Sequence, residues 1–169
     1  MSFVKLKNQN QLRQAILNSL NLIQFNFPYN LENVVIKPNM CSYWDYSTGQ
    51  ITDPRFIGAL IDVIRDQSSP DVEISIVESG ASAMKCKYAF KMLGYEKLSQ
   101  KYHVKLVNLS EDKSSITGVT AGEQKFYLAI PRTIQNADLK INVPKIKYTR
   151  EEIKITCALK NYFRLQSLF

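Results

Sequence analysis

The sequence has few of the residues from which local cofactor motifs are built. Its 169 residues include six glycines and a single histidine, which is few for an enzyme that depends on glycine-rich loops. The three cysteines, Cys41, Cys86 and Cys157, lie far apart and form no CxxC pair. This excludes a locally encoded zinc ribbon or ferredoxin-type cluster. An odd number of cysteines without a pattern is typical of a protein in a reducing cytosol.

Long apolar runs are also missing. The N-terminus, MSFVKLKNQNQLRQ, contains no apolar core of signal-peptide length, and no stretch approaches the roughly 20 residues of a membrane-spanning helix. We therefore expect a cytoplasmic protein without a membrane segment. The composition, with 45% hydrophobic and 22% charged residues, is that of an ordinary globular domain. The net charge of +7 favours anionic partners.

Strands alternate with helices along the chain, which predicts a mostly parallel α/β sheet with helices on both faces. The predicted helices span residues 9–25, 54–67, 82–93, 95–102 and 151–165, and the predicted strands span 30–36, 71–77, 104–109 and 139–143. Two further apolar runs, 116–119 and 125–130, flank Ala121-Gly122-Glu123 and predict a β-hairpin insertion. We expect a single α/β domain over residues 1–169. The apolar C-terminal end also fits a domain that is incomplete there.

Polar residues follow three of the predicted parallel strands. The three segments are Lys37-Pro38-Asn39, Glu78-Ser79-Gly80 and Pro144-Lys145-Ile146-Lys147. Ligands of open parallel sheets bind outside the carboxyl ends of the strands, so these segments predict a binding site. Several ammonium groups in one cleft repel each other unless an opposite charge joins them. A bound phosphate or carboxylate would supply that charge, and so would Glu78 as an internal partner.

The same residues also have ordinary structural interpretations, because most lysines at strand ends are simply solvated. Lys160 and Asn161 lie on the last predicted helix, where Thr156 and Lys160 would share one face. Lys160 could equally lie on a solvent face. His103, at the start of a strand, is predicted to be structural or exposed. A catalytic thiol at Cys41 is disfavoured because no histidine lies close in sequence.

Five segments carry a resemblance to a known family. They are VVIKPN at 34–39, ITDP at 51–54, VESGAS at 77–82, ADLKINVPKIK at 137–147 and ITCALKNYF at 155–163. In this order they resemble the domain of unknown function 362 family, over roughly residues 33–163. Two positions depart from the family pattern, since its histidine is Thr149 here and its glycine after the K-N-x-F run is Arg164. The chain resembles a divergent or C-terminally truncated member.

The resemblance implies a shared pocket built from the matching segments. Its residues would be Lys37, Asn39, Thr52, Asp53, Lys145, Lys147, Lys160 and Asn161. The strand-end argument adds Glu78 and Ser79 as ligand-binding candidates. Family members are often joined to ferredoxin-type iron–sulfur modules, and this chain has none. The resemblance therefore implies an iron–sulfur protein as a partner rather than a cluster in this chain, and it leaves the cofactor and the catalytic residues unknown.

Three functions agree with these observations. The first is an enzyme domain that binds an anionic small molecule, with a lysine as base or nucleophile. The second is a non-catalytic binding or scaffold domain that acts with an iron–sulfur redox partner. The third is nucleic-acid binding through the basic stretch 140–164, and it is disfavoured because no recognised nucleic-acid motif is present.

Overall fold

The computed structural model describes residues 4, 6, 8, 11–80, 84–148 and 155–163. The helices are α1 (Leu12–Leu22), α2 (Pro54–Gln67), α3 (Cys86–Met92), α4 (Tyr95–Tyr102), α5 (Arg132–Gln135) and α6 (Ala158–Phe163). The strands are β1 (Asn33–Pro38), β2 (Glu73–Glu78), β3 (Lys105–Asn108), β4 (Ser114–Ala121), β5 (Gln124–Pro131), β6 (Leu139–Val143), β7 (Lys147–Tyr148) and β8 (Ile155–Thr156). Strands and helices alternate as predicted, which confirms the α/β class.

The central sheet has four parallel strands in the order β3-β2-β1-β6. The chain first builds outward from β1 to β3 and then returns to the other side of β1. The strand order therefore reverses between β1 and β6. Such a topological switch point is where open parallel sheets bind ligands.

One face of the sheet, called the apolar face below, carries the main core. Its strand residues are aliphatic and buried, as at Val34, Ile36, Ile74 and Ile76. Helices α1 to α4 pack against it, because each presents a stripe of buried apolar side chains at helical spacing. Helix α2 is the longest of the four, with Pro54 in its first turn. Burial of these side chains provides most of the apolar stabilisation of the fold.

The opposite face, called the polar face below, has a much smaller core. Its cluster consists of Val35, Val77, Leu109, Ile134 and Ala137. Helix α5 and the base of the hairpin cover it, and α6 lies against the ends of β1 and β6. Helices thus lie on both faces of the sheet, as predicted, although the two layers differ greatly in size.

The predicted hairpin is confirmed. Strands β4 and β5 pair along their whole length, from Ser114 opposite Pro131 to Ala121 opposite Gln124. The turn between them contains Gly122 with a φ of 62°, a backbone conformation that glycine adopts without strain. Strand β4 is exposed throughout, so the hairpin projects from the sheet.

The prediction of a helix over 151–165 is wrong in its first part. Ile155 and Thr156 form β8, which pairs antiparallel with β7, and the helix begins only at Ala158. The β-branched side chains of Ile155 and Thr156 favour an extended backbone. Thr156 and Lys160 therefore share no helix face. Residues 151–154 and 164–165 lie outside the described residues.

A second boundary also differs, since α3 begins at Cys86 rather than near residue 82. Residues 81–83 of that predicted helix lie outside the described part of the chain. Within the described ranges, no helix has the length and apolar composition needed to cross a bilayer.

Candidate functional site

A buried ion pair lies at the carboxyl ends of the two central strands. The Lys37 ammonium contacts the Glu78 carboxylate, and both side chains are 1% exposed. Glu78 also accepts hydrogen bonds from the backbone N–H groups of Ser79, at 2.9 Å, and Met40, at 3.1 Å. The carboxylate is thus held by three donors. The sequence left two partners open for the Lys37 charge, a bound anion or Glu78, and the structure contains the pair with Glu78.

Asn161 connects three chain segments at the switch point. Its side-chain nitrogen donates to Asn142 Oδ1 at 2.7 Å and to the carbonyls of Lys37 and Pro38, both at 3.3 Å. Its side-chain oxygen accepts from Asn39 Nδ2 at 3.0 Å. Asn161 is only 2% exposed. A buried amide needs such partners, and these fix α6 against the ends of β1 and β6.

Thr52 and Asp53 have different roles although they are neighbours. The Thr52 hydroxyl accepts from Asn39 N at 2.8 Å and donates to the Val143 carbonyl at 2.7 Å, so it bridges the ends of β1 and β6. Asp53 caps α2, because its Oδ1 accepts from Arg55 N at 2.9 Å. Its other oxygen pairs with the Arg55 guanidinium at 2.7 Å. Thr52 therefore belongs to the polar cluster, and Asp53 lies at its border.

Three lysines of the predicted site lie on the chain segments that adjoin this cluster. Lys147 Nζ lies 2.9 Å from Cys41 Sγ and is half-buried. Lys145 is half-buried two residues after β6, and Lys160 is exposed on α6 next to Asn161. Among the residues that the structure describes, none of the three forms an ion pair with a carboxylate. The structure thus brings Lys37, Asn39, Thr52, Glu78, Ser79 and Asn161 together, and the three lysines that adjoin them have no carboxylate partner in the described ranges.

One acceptor in the cluster is open. The Asn39 side-chain oxygen is buried and has no hydrogen-bond partner within the described residues. Leaving a buried acceptor without a donor costs about 1–3 kcal/mol. A hydroxyl or ammonium group of a ligand at this position would satisfy it.

Two residues of the cluster were not predicted from the sequence. Asn142 accepts from Asn161 and donates to the Ala158 carbonyl at 2.9 Å. The signal for it was present, because an amide interrupts the otherwise aliphatic end of the strand LKINV. Cys41 was considered only as a nucleophile, and its contact with Lys147 joins residues 106 positions apart, which no local pattern reveals.

Two other ionisable groups beneath the cluster stay neutral. Burial, together with the nearby Glu78 charge, raises the pKa of the Cys86 thiol to about 12. Burial also raises the pKa of Tyr95 far above its usual range, and its hydroxyl donates to the Thr52 carbonyl at 3.2 Å. Both groups therefore support the site as neutral packing and hydrogen-bonding residues.

An apolar cavity beside the switch point has a different chemistry. It measures about 410 Å³, lies between α1, α2 and β6, and is lined mainly by apolar side chains such as Leu12, Ile16, Phe56 and Leu60. Only its rim, at Asn142–Pro144, reaches the switch point. Its volume would suit a small ligand, but its apolar walls offer no groups that bind an anion. We therefore place the candidate site at the lysines.

No group of three potential metal ligands occurs among the described residues, and Cys41, Cys86 and Cys157 are free thiols.

The model of the family described as a domain of unknown function (DUF362) matches residues 34–167 of the chain. The chain belongs to the DUF362 family. The resemblance seen in the sequence is thereby confirmed, and the whole polar cluster of this DUF362 domain lies inside the matched span. A search of curated proteins gives no match.

Proposed function

We propose that this DUF362 domain binds a small anionic molecule, through a carboxylate or phosphate group, at the switch point between β1 and β6. The distribution of charge carries this proposal. Glu78 and Asp53, the carboxylates described in this region, have cationic partners of their own, since Glu78 pairs with Lys37 and Asp53 pairs with Arg55. The ammonium groups of Lys145, Lys147 and Lys160 have no carboxylate partner among the described residues.

Lys147 is the lysine best placed to hold the anion. It is half-buried, so an anion beside it would be partly removed from water, where a hydrogen bond to a charged group contributes about 1.5–3 kcal/mol. The open oxygen of Asn39 would accept a hydrogen bond from a donor on the same ligand. Lys147 holds the anion as an ammonium, so in an enzyme domain it would bind and orient the anion rather than attack it.

The partner and the compartment remain predictions. A binding domain that acts beside an iron–sulfur protein is the second candidate function, and it rests on the family resemblance alone. The cytoplasm is the compartment that we propose, because the three cysteines are free thiols rather than disulfides.

The proposal is tested by calorimetric titration with inorganic phosphate and, separately, with malonate, at constant ionic strength. We expect Lys147→Met to raise the dissociation constant about tenfold, which corresponds to a loss of about 1.4 kcal/mol of binding free energy. Lys97→Met is the matched control, because Lys97 is exposed on α4, away from the site. It removes the same charge and should leave the affinity unchanged.

Equal weakening in the two variants would contradict the proposal, because it would mean that the anion responds only to net charge. Lys147→Arg keeps the positive charge with a different shape. It should retain more affinity than Lys147→Met if the charge itself holds the anion.

A further inference from the structure

A second, polar cavity lies at the opposite end of the sheet from the Lys37–Glu78 pair. It measures about 240 Å³ and opens on the polar face, near the starts of β1, β2 and β3. Its polar lining includes Asn33, Ser75, Lys105, Arg132, Thr133 and Asn136. The floor comes from the sheet, and the wall comes from α5 and the residue that follows it.

Ser75 is the unusual residue in this floor. It lies in the middle of a central strand, in register with Val35 on β1 and Lys105 on β3, and it is only 7% exposed. Within the described part of the chain its hydroxyl has no hydrogen-bond partner, although it lines the cavity. Valine would suit this position by packing alone, as at Val77 two residues further along. The hydroxyl is not sealed from solvent, so it can offer a donor and an acceptor to a polar group inside the cavity.

The charges around the cavity favour an anion. Lys105 pairs with Glu73 at 2.6 Å, and Glu73 is the single carboxylate among the lining residues. Arg132 forms no ion pair with any carboxylate in the described ranges. Its guanidinium is a planar fork of donors that matches the two oxygens of a carboxylate or phosphate. The lining residues therefore carry one positive charge in excess, and the Asp112 carboxylate lies behind the wall, where it accepts from the Thr133 backbone N–H at 2.9 Å.

We propose that this cavity binds the carboxylate or phosphate group of a small polar molecule. Arg132 holds the oxyanion, and Ser75, together with Thr133 or Asn136, hydrogen-bonds the polar groups behind it. The cavity of about 240 Å³ is large enough for a phosphate or a small organic acid. This site is additional to the switch-point site and shares none of its residues.

The test is a two-dimensional amide NMR titration of the full chain, with inorganic phosphate and with malonate in separate experiments. We expect the amides of Ser75, Thr133 and Asn136 to shift with at least one of the two anions. A stronger response to one of them identifies the ligand group as phosphate or carboxylate. Arg132→Met should weaken the response at these amides about tenfold or more, and Arg132→Lys should restore part of it.

Ser75→Val separates binding from folding. It removes the hydroxyl and places a methyl group in the cavity, so the sheet should be retained while the anion response is lost. Lys147→Met should leave the response at Ser75 unchanged, so the failure of one site does not imply failure of the other. Lys125→Met, an exposed lysine on the hairpin, is the control for charge.

Two results would overturn the proposal. One is the absence of shifts at these amides with both anions. The other is an amide NMR titration in which Arg132→Met responds to the anions as strongly as the wild type and Lys125→Met do. If Ser75→Val should fail to fold, the two Arg132 variants still decide the question, because Arg132 is exposed.

Discussion

The two faces of the central sheet are built from alternate residues of the same strands, yet they differ in size of core and in polarity. On the apolar face, Val34, Ile36, Ile74 and Ile76 are packed under four helices. On the polar face, Lys37, Ser75 and Asn142 interrupt a short apolar cluster. The period of two in a strand thus separates two tasks. One face stabilises the fold, and the other positions polar groups.

On the polar face, some polar side chains bond to protein partners and others line a cavity. At the carboxyl ends of the strands, Lys37 and Asn142 are satisfied by Glu78 and Asn161. At the strand starts, Ser75 and Arg132 face a cavity instead. Burial of polar groups is tolerated only with partners, so the first arrangement fixes the protein and the second leaves room for a ligand.

The largest effect should come from the buried ion pair, where polar residues carry the stability. Lys37→Met leaves the Glu78 carboxylate buried without its counter-charge, and we expect unfolding free energy to fall by about 3–5 kcal/mol. The double variant Lys37→Met/Glu78→Gln removes both charges and should recover a large part of that loss. Urea unfolding measures both. If Lys37→Met lowers the unfolding free energy by less than the surface control Lys97→Met does, the pair is not buried in solution.

A matched pair of valines tests the difference between the faces directly. Val34 and Val35 are adjacent on β1, 1% and 3% exposed, and point to the apolar and polar faces respectively. Val35→Ala should cost about 1.6 kcal/mol, the transfer term for two carbons, because Val35 belongs to the small five-residue cluster of the polar face. Val34→Ala should cost about 2–3 kcal/mol, since a new void opens in a packed core. If urea unfolding gives the same loss of unfolding free energy for both variants, the two faces do not differ in how tightly they pack.

The smallest effect concerns Asp138, which ties the start of β6 to the start of β1. Its carboxylate accepts from the backbone N–H groups of Asn33, at 2.8 Å, and Glu32, at 3.0 Å, and these bonds lower its pKa. A lowered folded-state pKa means that the carboxylate contributes stability above its unfolded pKa, about 3.9. That contribution is lost as the pH falls through the lower folded value.

Asp138→Asn should therefore lower the urea midpoint at pH 7 and converge with the wild type at strongly acidic pH. A difference between the two proteins that stays constant over the whole pH range would contradict this assignment. Such a result would point to the altered shape of the side chain rather than to its charge.

Much of the fold follows from local pattern. The bounds of α4 and β6 agree with the prediction residue by residue, because each is delimited by glycine, proline or a change of period. The last helix was misjudged because β-branched residues next to a short helix carry a weak periodic signal. The family match confirms the resemblance, whereas the ligand-binding role of the predicted residues remains a prediction.

The contacts within the site could not be read from the chain. Lys37 and Glu78 are 41 residues apart, and their pairing depends on the register of β1 against β2. The sequence could show that both follow strands, but not that one would neutralise the other. Ser75 gave no signal at all, since a serine within a strand has meaning only once the cavity above it is known.

The Thr52 bridge gives the switch point a property that a continuous sheet lacks. Backbone pairing between β1 and β6 ends at Pro38 and Val143, and the next connection across the gap is a hydroxyl group from a loop. The Asn161 amide crosses the same gap, because it donates to Asn142 and to the Lys37 and Pro38 carbonyls. Beyond the last paired residues, the spacing of the two strand ends therefore depends on side chains that come from a loop and from the last helix, rather than on backbone pairing.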